Sequence, residues 1–96
     1  MSWSAEKNRI LKAHRDRHIC FEDIVAAIRG GGLLDDIAHP NQQLYPNQRM
    51  LVVSVADYVY AVPYVEDEKG GLFLKTAFPS RALKRSYAKD GNNGRS

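Results

Sequence analysis

A single cysteine, Cys20, stands among ninety-six residues. That excludes an intrachain disulfide framework and a Cys-based zinc cluster, and Cys20 reads as a small buried residue. No apolar run is long enough to span a bilayer. The opening stretch Met1-Ser-Trp-Ser-Ala-Glu-Lys7 is polar and lacks the apolar core of a signal peptide, so the expectation is a cytoplasmic protein without membrane contact. The three histidines, His14, His18 and His39, are too scattered to make a metal site, and neither a metal nor another cofactor is expected. There is no internal repeat. Acid is nearly missing from the end of the chain: residues 69–96 hold seven Lys/Arg and only Asp90. Residues 1–30 carry +2, residues 31–68 carry −5 and residues 69–96 carry +6, which together give the net +3. A basic end of this kind suits a polyanionic partner.

The length allows one domain, placed at 1–89, with a polar tail at 90–96 that is expected to be disordered. Ser2 or Ser4 can cap a first helix over roughly 4–15, with Glu6 in its first turn and a narrow apolar face of Ile10, Leu11 and Ala13. Asp16-Arg17-His18-Ile19 links it to a second helix from Phe21 to Arg29. There Phe21, Ile24, Val25 and Ile28 fall at i, i+3, i+4 and i+7, a buried stripe. Gly30-Gly31-Gly32 follows. A phosphate cradle is rejected, because no strand precedes it and the C-terminal end of a helix repels anions; it reads as a C-cap and turn.

Leu33 to Ala38 reads as a short edge strand, and 39–48 as a proline-bearing polar loop long enough to be functional. Arg49–Val55 and Tyr58–Val65 form a hairpin about the tight turn Ala56-Asp57. In its second strand Tyr58, Tyr60, Val62 and Tyr64 share one face, while Pro63 on the other argues for an exposed stretch or a bulge. After the loop 66–71, Leu72, Leu74, Thr76 and Phe78 alternate with Phe73, Lys75 and Ala77, a strand ended by Pro79. Ser80 can cap a closing helix on which Arg81, Lys84 and Arg85 share a face. The expected fold is α+β: two N-terminal helices, a mainly antiparallel sheet of about four strands with helices on one side, and a C-terminal basic helix.

Three short motifs resemble a known family. Trp3-Ser-Ala-Glu-Lys-Asn8 is similar to an opening Trp-Asp-x-x-Lys-Asn, His18 with Phe21-Glu22 to His-Gly-x-x-Phe-Glu, and Ser80-Arg81-x-x-Lys84-x-x-x-Tyr87 to a closing Ser-Ala-Arg-x-Ala…Tyr. These belong to the BrnT-like toxins of bacterial type II toxin–antitoxin systems, in the RelE ribonuclease superfamily. The chain departs from the pattern in its adjacent Ser80-Arg81, in lacking a Glu between Arg81 and Tyr87, and in a longer 39–48 loop.

The resemblance implies a RelE-like fold and metal-independent cleavage of RNA, including ribosome-bound mRNA. It also implies neutralisation by a cognate, DNA-binding antitoxin in a heteromeric complex. In such a reaction the 2′-hydroxyl attacks the adjacent phosphate, and the protein stabilises the charge that develops. By this reading Arg81 clamps the phosphate in bidentate fashion, Lys75 and Lys84 add charge or exchange protons, and Tyr87 positions or protonates the leaving oxygen. Arg49, Arg85, Ser80 and His39 are the further RNA-binding candidates. Plainer roles stand beside these: an Arg81 ion pair with Asp57 or Glu66, and a Tyr87 that packs the last helix on the sheet. The alternative function is a non-catalytic RNA- or DNA-binding module, or a protein-interaction module whose edge strand 33–38 pairs with a partner.

Overall fold

The structure is a computed structural model and describes residues 1–14 and 19–87. Arg15, the link Asp16 to His18, and the tail Asp90 to Ser96 lie outside the described residues, as does the part of the resemblance that rests on His18.

Strand β1 (Ser2–Trp3) leads into helix α1 (Ala5–Lys12). Ser4 is the cap, its hydroxyl accepting the Lys7 amide at 3.2 Å, while Ser2 is part of β1. The helix is shorter than the span 4–15, and its inward face also differs from expectation. Leu11 packs on the core, but Ile10 is 56% exposed and the buried member of the helix is polar Asn8. Asn8 is satisfied across the chain. Its Oδ1 accepts the Phe21 amide at 2.7 Å and its Nδ2 donates to Glu22 at 2.8 Å. A buried side-chain amide with partners on both its oxygen and its nitrogen avoids the penalty of an orphaned polar group.

Helix α2 (Phe21–Arg29) buries Phe21 and Ile24 completely, with Val25 and Ile28 half-buried, as its stripe predicts. The glycines close it in a Schellman motif. Gly31 donates to the Ile28 carbonyl at 3.1 Å and Gly32 to the Ala27 carbonyl at 2.7 Å, with Gly31 at φ +93°. Gly32 is required for a different reason: a Cβ there would lie 2.6 Å from the Ser54 carbonyl oxygen and 2.8 Å from that of Ala27.

The sheet has six strands, where about four were expected. Besides β1 they are β2 (Leu33–Ala38), β3 (Arg49–Val55), β4 (Tyr58–Glu66), β5 (Leu72–Leu74) and β6 (Phe78–Pro79). The order is β1-β5-β4-β3-β2, so 33–38 is an edge strand, and β6 also pairs with β4. Every pairing is antiparallel except β1 with β5. The β3–β4 hairpin turns on Ala56 and Asp57, both at positive φ (50° and 67°), which matches the right-handed twist of the strands it joins.

The expected continuous strand 72–78 is broken. Four steps along β4, Tyr64 to Tyr60, are matched by five steps, Leu74 to Pro79. One extra residue is therefore accommodated between β5 and β6, a bulge. Pro63 sits opposite. Its carbonyl accepts the Lys75 amide at 2.8 Å, but it has no N–H to continue the ladder. Pro63 itself is buried rather than exposed. The slip reverses the alternation: Leu72, Leu74 and then Ala77 face the core, and Phe78 faces away.

The core lies between α2 and one sheet face, where Ile19, Phe21 and Ile24 meet Leu51, Val53, Val62, Tyr64, Leu74 and Ala77. The opposite face is covered as well, since Met50, Val52, Val59, Ala61 and Pro63 are buried. Residues 81–87 form a third helix, α3, capped by the Ser80 hydroxyl, which accepts the Leu83 amide at 3.1 Å. Its Leu83 borders one hollow with Met50 and Ala61 of that face, and its Tyr87 hydroxyl donates to Asp35 of β2 at 2.8 Å. Helices therefore flank both faces, not one side. Among the described residues no helix is long and apolar enough to cross a membrane.

Candidate functional site

The face of the sheet that carries α3 holds two adjoining hollows. The first, about 430 Å³, is bordered by Lys7, His39, Tyr45, Gln48, Pro63, Lys75, Thr76 and Phe78. The second, about 390 Å³, is bordered by Ile37, His39, Pro40, Met50, Ala61, Phe78, Ser80, Ala82 and Leu83. His39 and Phe78 border both. Two lysines and other polar side chains border the first beside apolar wall from Pro63 and Phe78, and the second is almost wholly apolar. Alternation already turns Lys75 outward from Leu74, and the bulge adds Phe78 to that face while Ala77 stays in the core.

His39 is held by the loop that follows it. Its Nδ1 accepts the Asn41 amide at 3.0 Å, its amide donates to the Gln48 carbonyl at 3.1 Å, and its ring lies 4.5 Å from that of Tyr45. Because Nδ1 is an acceptor here, the ring proton of neutral His39 sits on Nε2. The side chain therefore offers a hydrogen-bond donor rather than an open base nitrogen. The Lys75 ammonium lies 5.8 Å from the centre of the Phe73 ring.

The other expected site residues are distributed as follows. Ser80 borders the second hollow and caps α3. Arg81 and Arg85 are exposed on α3, and neither makes an ion pair with another described residue; the suggested partners Asp57 and Glu66 do not bind Arg81. The Lys84 ammonium donates to the Asp57 carbonyl at 3.1 Å and lies 5.3 Å from the centre of the Tyr58 ring. Tyr87 is tied to Asp35, whose carboxyl is held below its usual range mainly by that phenol and next by the Asp36 amide.

Arg49 is not brought to this site. Strand alternation puts it beside Leu51 and Val53 on the α2 face, directly across from Tyr64. Its Nε donates to Asp36 at 3.0 Å and its Nη2 to the Asp36 carbonyl at 2.9 Å, which raises its pKa further, the Asp36 hydrogen bond first among the causes. The Tyr64 phenol also donates to Asp36, at 2.8 Å, and burial above all pushes its own pKa up. This is a structural lock among three strands, β2, β3 and β4.

Lys7, Tyr45, Gln48, Thr76 and Phe78 are not among the site residues the sequence points to. Two signals pointed near them: Lys7 belongs to the opening motif of the resemblance, and Tyr45 and Gln48 lie in the loop flagged as long enough to be functional. Among the described residues no group of three or more His, Cys, Asp or Glu could hold a metal ion.

The motifs of the resemblance interlock. Trp3 stacks on Phe21 with ring centres 5.4 Å apart, and Asn8 binds both Phe21 and Glu22. Trp3, Asn8, Phe21 and Glu22 build the fold, whereas Lys7 borders the first hollow and Ser80 of the closing motif the second. No protein-family model, curated protein or solved structure matches the chain.

Proposed function

We propose that the chain is a BrnT-like toxin that cleaves RNA without a metal, in the cytoplasm, and is neutralised by a cognate antitoxin. One observation carries this reading. Lys7 of α1 and Lys75 of the bulge, far apart in sequence, border one hollow together with the donors His39, Gln48 and Thr76. The two lysine side chains can neutralise a phosphodiester there, and His39, held by its loop, with Gln48 and Thr76 can bind the oxygens on which charge grows as the 2′-hydroxyl attacks. Preorganised donors of this kind contribute about 10²–10³ in rate each. Arg81, exposed at the start of α3, is available as a clamp on a neighbouring phosphate. Lys84 and Tyr87 hold α3 in place in the unbound protein, and a role in proton transfer would require them to leave their present partners.

The test is incubation of purified protein with RNA in the presence of EDTA. Products ending in a 2′,3′-cyclic phosphate are expected, as is growth arrest on induced expression that a co-expressed antitoxin relieves. Intact RNA at all protein concentrations would sink the proposal. The engagement of Lys84 and Tyr87 favours a second reading, a non-catalytic RNA-binding module. It predicts binding that weakens steeply with salt and no cut products.

A further inference from the structure

The second hollow is apolar, yet it opens beside the cationic one and shares two of its walls, His39 and Phe78. Both shared rings are held in place. Phe78 is fixed on β6 by pairing with Ala61, and the bulge turns it outward, leaving it 40% exposed. A large ring kept on the surface by a register slip is not explained by core packing. His39 is gripped through Nδ1 by the Asn41 amide and against Tyr45, leaving Nε2–H to donate. The Ser80 oxygen already accepts the Leu83 amide, so its hydroxyl hydrogen remains to donate at the rim. The floor is Met50, Ala61 and Ile37.

We propose that this hollow receives one unstacked base of single-stranded RNA, whose adjoining phosphate lies against Lys7 and Lys75. The inference rests on the RNA reading above and adds the base subsite to it. Charge complementarity selects the occupant: an apolar slot that opens beside a hollow bordered by two lysines suits a flat π-system attached to an anion. Proteins bind unpaired bases by stacking them on aromatic side chains and hydrogen-bonding their edges. A duplex keeps its bases stacked within the helix and cannot fill the slot.

The test measures anisotropy of a short fluorescein-labelled single-stranded RNA, 2′-O-methylated throughout so that it cannot be cut. Phe78→Ala should weaken binding about tenfold or more, the loss expected for one stacked base. It should leave the slope of log K against log salt unchanged, and Phe78→Tyr should restore affinity. Lys75→Ala should make that slope shallower by about 0.7. Circular dichroism establishes that each variant is folded. Affinity of Phe78→Ala within twofold of the parent overturns the subsite, as does a duplex that binds equally well. If the methylated RNA binds in a Phe78-dependent way but native RNA is never cut, the subsite stands and the nuclease reading fails. If native RNA is cut while Phe78→Ala binds normally, the subsite fails and the nuclease reading stands. No RNA binding at all overturns both.

Discussion

The Asn8 side chain accepts the Phe21 amide at 2.7 Å and so joins α1 to the first turn of α2, across a stretch of chain that includes the undescribed residues 15–18. The same side chain donates to Glu22. Asn8→Ala leaves a buried amide N–H unpartnered, which should destabilise the protein by about 2–3 kcal/mol. The expected result is a melting temperature lower by roughly 10 °C or more. A shift under about 3 °C would show that water replaces the lost acceptor.

The Asn8 amide is also the main cause that holds the Glu22 carboxyl below its usual pKa. Stability from this source is present above the unfolded carboxylate pKa and is lost as pH falls through the folded value. The urea midpoint of the parent protein should therefore drop more between about pH 5 and 3 than that of Glu22→Gln. Parallel curves for the two proteins would remove Glu22 from the account.

Ala56 and Asp57 occupy positive φ at the β3–β4 turn, where Asn-Gly is the favoured pair. Replacing Ala56-Asp57 by Asn-Gly relieves left-handed strain, a net gain of about 1 kcal/mol once glycine's greater freedom in the unfolded chain is counted. The melting temperature should rise by about 5 °C. A fall would mean that the Asp57 side chain contributes more than the strain it carries.

Gly32→Ala tests the close approach of α2 to β3. The added methyl meets two backbone carbonyls, neither of which can swing aside as a side chain can. A loss of about 1–3 kcal/mol is expected. Gly31→Ala places its methyl in open space and is strained only through its φ, so the two variants separate crowding from conformation when their chemical denaturation curves are compared.

Much of the fold is legible in the residues. The helical stripe of α2, the glycine stop, the alternation of β4 and the edge position of β2 all follow from local pattern. The parts that escape a sequence reading are set by distant partners. Strand β1 is too short to show a period and exists only because Ser2 and Trp3 find Phe73 and Leu74. The bulge between β5 and β6 lies opposite Pro63 on another strand, so the run 72–78 looks continuous by itself. That error carries into the site. The alternation read straight through turns Phe78 inward, whereas the slip turns it out beside His39. The parity of Arg49 with Leu51 and Val53 was readable, but which sheet face would hold the cations was not, because Lys7 and Lys75 meet only once the sheet has formed.

The most direct measurement is the rate of RNA cleavage, with EDTA present, by the protein and by its Lys7→Ala/Lys75→Ala double variant. If the two ammonium groups stabilise the transition state, the double variant should retain its melting temperature and lose at least about 10²-fold in rate. Undiminished cleavage by a folded double variant would place the chemistry elsewhere and contradict the account.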